Sequence, residues 1–153
     1  MKILIIVAHP DDEILGMGGT ILNHTKKGDD VTIVYLTTGI ASRRSSNYNN
    51  SPSYKLSKNE SIKIKKQILE LQNDAKNSSK ILGVKKTIFF DYPDNELDTV
   101  PLLKIIKTIE EIVSSIMPDR IYTSHFADLN VDHRTVFEAI LTACRPTGLP
   151  VKE

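Results

Sequence analysis

Six apolar residues cut off by a proline constrain this chain more than any other stretch. Ile3 to Ala8, Ile-Leu-Ile-Ile-Val-Ala, is short, continuous and rich in β-branched side chains, which suits a strand buried on both faces. Pro10 has no N–H for a sheet ladder and biases His9 toward an extended backbone, so the strand ends there. Asp11, Asp12 and Glu13 follow, and apolar residues return at helical spacing as Ile14, Leu15, Met17, Ile21 and Leu22. Strand, polar corner and helix in succession form the first half of a βαβ unit.

The corner has two readings. Carboxylates at a helix start satisfy free N–H groups and the helix dipole, and that is a common structural use. Alternatively, His9 and Asp12, three residues apart across the bend, converge on one metal ion. Asp11 would then project differently and stay free as a base. The corner alone does not separate the two.

The remaining chain alternates strand and helix. Gly28 ends the first helix after Lys27, and Val31–Leu36 reads as a second strand leading into a polar Thr37-Thr38-Gly39 corner. Ala41 to Lys58 is Ser- and Asn-rich and reads as a long loop, with Arg43 and Arg44 at its base as either surface charges or ligand contacts. Asn59 to Leu82 is a helix stopped by Gly83, and Thr87–Phe90 a third strand followed by the turn Asp91 to Asn95. Pro101 to Met117 is the clearest amphipathic helix, with proline at its start and Pro118 beyond its end. Arg120–Thr123 is a fourth strand and Asp132–Cys144 a last helix. The alternation predicts an α/β fold with a mainly parallel sheet.

Composition narrows the function. The 153 residues suit one domain, and 20 basic against 19 acidic side chains leave no electrostatic footprint for nucleic acid. No apolar run is long enough for a membrane span and no signal peptide is evident, so the expected location is cytoplasmic. Cys144, the single cysteine, sits among apolar residues and reads as a small hydrophobe. A homo-oligomer is compatible with all of this. The closing Pro150-Val151-Lys152-Glu153 reads as the approach to a further element, so 1–153 is expected to be a single domain lacking a C-terminal portion.

A second polar cluster follows the fourth strand: Ser124-His125-Phe126-Ala127-Asp128-Leu129-Asn130-Val131-Asp132-His133-Arg134. Open α/β sheets bind ligands beyond the carboxyl ends of their strands, where strand order reverses. If strands one and four are neighbours, His9, Asp12 and His133 close on one ion. Two imidazoles and a carboxylate with an open position make a hydrolytic zinc site, which lowers the pKa of a bound water to about 7 and polarises a carbonyl. Asp11 would take that water's proton.

Ala8-His9-Pro10-Asp11-Asp12-Glu13 with Gly16-Met17-Gly18-Gly19, and Asp128 to Arg134 later, resemble the LmbE-like family of zinc-dependent N-acetylglucosaminyl deacetylases, which includes the GlcNAc-phosphatidylinositol de-N-acetylases (PIG-L). The likeness extends over nearly the whole chain, through Ile81-Leu82-Gly83-Val84 and the turn Pro93 to Asn95. It implies a Rossmann-like three-layer sandwich and hydrolysis of an acetamido sugar or glycoconjugate to an amine and acetate. His9, Asp12 and His133 match the zinc ligands and Asp11 the general base. Arg43 and Asp94 fall in regions that contact the sugar, Asp128 is grouped with them, and Asp132 would orient a ligand or an acid.

One position departs from the pattern. Many relatives carry a histidine where this chain has Asn130, which can donate a hydrogen bond to an oxyanion but cannot deliver a proton. His125, or Asp11 returning its proton, would then supply the acid. Two other readings compete: a metal-binding relative without catalysis, and a nucleotide-binding module using Gly16 to Gly19. The second fits poorly, because the glycine spacing is not G-x-G-x-x-G and three carboxylates precede it.

Overall fold

The computed structural model describes residues 1–40, 57–146 and 151. Four strands, β1 (Lys2–Val7), β2 (Asp30–Thr37), β3 (Lys86–Tyr92) and β4 (Arg120–Tyr122), form one sheet in the order β3-β2-β1-β4. All three strand pairings are parallel, with Ile3 opposite Val31 on one side and Arg120 on the other. The helices are α1 (Asp12–Lys26), α2 (Lys58–Ile81), α3 (Leu102–Ile116) and α4 (Val131–Ala143). The α/β expectation holds, with boundaries shifted by a residue or two and one addition, a 3-10 turn at Leu97–Thr99.

The central strand is apolar throughout because both of its faces are covered. Ile3 to Val7 are all 1% exposed or less. Leu4 and Ile6 pack with Val34, Leu36, Ile105 and Ile109 of α3, and Val136 and Ala139 of α4. Ile3, Ile5 and Val7 face the other layer, with Ile33, Tyr35, Ile21 of α1 and Ala75 of α2. Period-two alternation thus sorts one strand into two cores and makes three layers. Truncating Ile6 to alanine would cost roughly 2–5 kcal/mol, the usual range for a fully packed site. Cys144 packs against the α3–α4 layer, and burial pushes its thiol up, in keeping with a structural role.

Local signals set the helix ends. Ser57 caps α2 in a reciprocal box with Glu60, so the helix begins inside the stretch expected to be loop; residues 41–56 of that stretch, Arg43 among them, lie outside the described residues. Met117 ends α3 in the left-handed conformation at φ 52°, followed by Pro118. Among the described residues no helix is long and apolar enough to cross a membrane.

Strand order decides where a site can form. The chain leaves β1 toward β2 on one side and returns to β4 on the other, which opens a crevice beyond their carboxyl ends. His9 follows β1, His133 opens α4 after β4, and the turns after β2 and β3 close in from the flank.

Candidate metal centre

The corner after β1 is tight. Asp11 N and Asp12 N both donate to His9 O, and the Asp12 carboxylate folds back to accept from His9 N at 2.8 Å. Gly39, from the turn after β2, has φ 70°, and a Cβ there would lie 2.8 Å from Pro10 Cδ. That backbone must be glycine for the two turns to touch. Asp11 is the N-cap residue of α1, yet its side chain makes no cap hydrogen bond, which leaves the carboxylate to face the crevice.

Three side chains from the two corners converge. His9 Nδ1 is 3.1 Å from His133 Nε2 and 3.4 Å from Asp12 Oδ2, and His133 Nε2 is 3.2 Å from Asp12 Oδ1. Ligands about 2.0–2.1 Å from a tetrahedral ion lie roughly 3.3 Å from one another, so this spacing already fits such an ion. Two ring nitrogens aimed at each other across 3.1 Å, beside a carboxylate, are a donor set suited to a shared cation. These three residues could hold a metal ion.

The far side of each imidazole is backed by carboxylate. His9 Nε2 lies 3.1 Å from Asp132 Oδ2 and 3.2 Å from Asp94 Oδ1, both carboxylates fully buried. Asp132 also accepts N–H bonds from Asn95 (2.6 Å) and Leu97 (3.0 Å), and Thr37 Oγ1 donates to Asp94 at 3.3 Å. His9, Asp94 and Asp132 also cluster closely enough to suggest a second ion, but those backbone and hydroxyl bonds already occupy the carboxylates. They fix the His9 tautomer with Nε2–H outward and Nδ1 toward Asp12 and His133, the usual support for a metal-ligating histidine. His133 Nδ1 sits 3.0 Å from Asp128 Oδ2, close enough for an ion pair although outside hydrogen-bond geometry.

Charge follows the same logic. Burial alone would lower the His9 pKa, but hydrogen bonds to Asp12, Asp132 and Asp94 outweigh it and lift the ring to about 11. Burial would raise the Asp12 pKa, and its bonds to His133 and His9 instead hold it well below the usual carboxylate range. His133 is raised chiefly by Asp12, and Asp128 is lowered by the Asn130 N–H and by His133. Without metal the cluster holds protons in the cation's place.

The other expected residues fall at different depths. Asp94, expected against the sugar, is 3% exposed, with its Oδ1 3.2 Å from His9 Nε2. Asn130 is the N-cap of α4: its Oδ1 accepts from Asp132 N at 2.8 Å while Nδ2 donates to Asn95 Oδ1 at 3.3 Å. His125 is exposed, and its Nδ1 accepts from Ala127 N at 3.2 Å. Glu13, in the first turn of α1, is 1% exposed beside Tyr35, and burial pushes its carboxyl up.

Asn95, Thr37 and Gly39 were not anticipated as site residues. Asn95 stands at φ 56°, a conformation asparagine tolerates, and the turn it makes turns its N–H to Asp132. The turn residues after β2 and β3 were the available signal, since every strand of an open parallel sheet ends at the crevice.

Fold and site together define a Rossmann-type α/β protein with a His/Asp/His cluster that could hold a metal ion at the switch point of its sheet. Residues 4–144 match the PIG-L family model, described as GlcNAc-PI de-N-acetylase, and the chain belongs to that family. It is 30% identical over 148 residues to the uncharacterized deacetylase YaiS of Escherichia coli K12, covering 94% of this chain and 68% of that protein. The N,N'-diacetylchitobiose deacetylase of Pyrococcus horikoshii, solved with an inhibitor, superposes with a TM-score of 0.70 at 28% identity, covering 95% of this chain and 51% of that one. The 4-carboxy-2-hydroxymuconate hydratase of Pseudomonas putida shares the fold at a TM-score of 0.70 and 19% identity, covering 99% of this chain and 60% of that one. The chain therefore spans between about half and two thirds of the length of these relatives.

Proposed function

We propose that this chain hydrolyses the acetamide of an N-acetylated amino sugar or glycoconjugate, with zinc held by His9, Asp12 and His133. The observation that carries the reading is a pair of ring nitrogens, His9 Nδ1 and His133 Nε2, 3.1 Å apart and each within 3.4 Å of an oxygen of the Asp12 carboxylate, beside a carboxylate, Asp11, that caps nothing. Membership of a de-N-acetylase family and likeness to a diacetylchitobiose deacetylase support an acetamido sugar as substrate. Nitrogen and carboxylate donors suit zinc and also accept other divalent ions.

Bound there, the metal would polarise the amide carbonyl and make a water acidic enough to attack at neutral pH. Asp11 lines the small polar hollow beside His9, Asn95 and Asn130, and so sits on the side from which water and amine exchange protons. It accepts a proton from the attacking water as the C–O bond forms. It returns that proton to the nitrogen as the C–N bond breaks, giving acetate and a free amine. Asn130, its oxygen committed to the α4 cap, offers Nδ2 to the developing oxyanion. Asp94 and Asp132 hold His9, and Asp128 holds His133.

The test is acetate release from N-acetylglucosamine and diacetylchitobiose, with metal content measured on the same sample. Release that disappears with a chelator and returns with zinc supports the reading. One bound ion per chain with no acetate from any N-acetyl sugar would sink it, leaving a metal-binding relative.

A further inference from the structure

The centre opens on two sides. Asp12 and His133 line two hollows at once: the polar one that contains Asp11, of about 260 Å³, and a larger one of about 480 Å³. One wall of the larger hollow is Leu15, Gly16 and Met17 from the first turns of α1; the other runs from Thr123 to His125 after β4, with the Asp128 carboxylate beside His133 at the end nearest the centre. Its mouth carries apolar side chains in the open. Leu15 is 83% exposed, and Phe126, 61% exposed, holds its ring 4.3 Å from that of His125.

An amide placed with its carbonyl at the centre sends two arms away from the carbonyl carbon, roughly 120° apart in the planar group. The nitrogen arm must lie where the proton is returned, and Asp11 lines the polar hollow and not the larger one. The acyl arm is thereby directed into the larger hollow. A methyl group takes up about as much room as one water, about 30 Å³, and would leave that space nearly empty.

We propose, on the reading of the chain as an N-deacylase, that the hollow bounded by Leu15, Gly16 and Met17 is an acyl subsite that accepts N-acyl chains longer than acetyl, with Gly16 setting the usable length. A straight chain of about six carbons runs from the carbonyl along the glycine wall toward Leu15 and Phe126. A Cβ built on Gly16 meets nothing within 4 Å, so a side chain there projects into open space without displacing its neighbours. It also replaces a glycine in a helix, which favours the fold.

The experiment compares N-acetyl-, N-butyryl- and N-hexanoylglucosamine on the zinc-loaded chain and on Gly16→Ala and Gly16→Leu, scoring kcat/KM by amine release. The expected result is hexanoyl within tenfold of acetyl in the parent, and a hexanoyl-to-acetyl ratio at least tenfold lower in Gly16→Leu, with Gly16→Ala between them. A fall of more than a hundredfold from acetyl to butyryl in the parent, or an unchanged ratio in Gly16→Leu, overturns the subsite. Binding of the free carboxylates by NMR titration separates this from the proposed activity, because it needs no turnover. Hexanoate should bind at least tenfold tighter than acetate and shift the Gly16 and Met17 amides. Equal binding overturns the subsite even if acetamide hydrolysis is observed, and tighter hexanoate binding upholds it even if none is.

Discussion

Asp132 Oδ2 stands 3.1 Å from His9 Nε2 and also takes the N–H of Asn95 at 2.6 Å, so one buried carboxylate ties the corner after β1 to the turn after β3. Its neighbour in sequence, His133, brings a ring nitrogen of the converging trio from the same helix turn. On the proposed function, Asp132 is a positioning residue that holds His9 through a buried bond.

Asp132→Asn should weaken metal binding by about 10–100-fold, the range for losing a ligand's carboxylate partner. It also turns an NH2 group toward one of two backbone N–H donors, Asn95 on Oδ2 or Leu97 on Oδ1, each of which meets an oxygen in the parent, so the melting temperature should fall. Zinc titration against a competing chelator, with thermal denaturation of the metal-free protein, reads both. Unchanged affinity would mean that His9 is oriented without Asp132.

Asp11→Asn should behave in the opposite manner. Asp11 makes no cap bond and does not belong to the converging trio, so the variant should bind metal like the parent and keep its stability. Deacetylation should drop by about 10²–10⁴, the usual contribution of a positioned base. His133→Ala should lose metal and activity together. If Asp11→Asn deacetylates like the parent, another group moves the proton.

The layers were legible in the sequence because burial on both faces writes itself as uninterrupted apolar runs, as at Ile3 to Ala8, and because Pro101 and Pro118 bracket the α3 stripe. The converging trio is legible if β1 and β4 are neighbours, and their parallel pairing satisfies that condition. The support beneath His9 is legible only in part: the resemblance implies that Asp132 orients a ligand or an acid, and nothing in the sequence joins Asp94 to His9. Asp94 and Asp132 are acidic residues in polar turns, indistinguishable in type from solvent-facing ones, and only the sheet brings them to one ring from 85 and 123 positions away. Asn130 was weighed only for chemistry, although an asparagine directly before a helix is first a cap.

Gly39→Ala should destabilise the chain without touching a ligand. The residue has φ 70°, and the new Cβ would meet Pro10 Cδ at 2.8 Å. Strain of this kind costs roughly 1–3 kcal/mol, and because Pro10 adjoins His9 the metal affinity should fall as well. Chemical denaturation with metal-free protein measures the first effect; a denaturation midpoint equal to the parent's would show that the two turns part readily.

Metal uptake should release protons. With its pKa lifted from about 6.5 in an unfolded chain to about 11, His9 is an imidazolium in the metal-free fold at neutral pH. The sign follows: the ion cluster's contribution to metal-free stability is full below about pH 6.5 and is lost as pH rises through about 11. Metal needs His9 Nδ1 unprotonated, so apparent affinity should rise about tenfold per pH unit between 7 and 9, and more steeply where His133, also raised, is protonated. Calorimetric titration in buffers of different ionisation enthalpy counts the protons directly. Zero released at pH 7 would mean that His9 is neutral before metal arrives.

Asn130 lets a structural and a chemical role be separated within one side chain. Its Oδ1 caps α4 through Asp132 N, and its Nδ2 is the donor that reaches Asn95 on the lining of the polar hollow. Asn130→Ala removes both, and losing the cap should cost about 1 kcal/mol. Asn130→Asp preserves an acceptor for Asp132 N while replacing the donor with oxygen, so its thermal stability should exceed that of Asn130→Ala. Deacetylation should still fall, by about 10²–10³ in kcat if Nδ2 meets the oxyanion, with KM changed far less. A stable Asn130→Asp that keeps the parent's kcat would reduce the residue to its cap and move oxyanion stabilisation elsewhere in the centre.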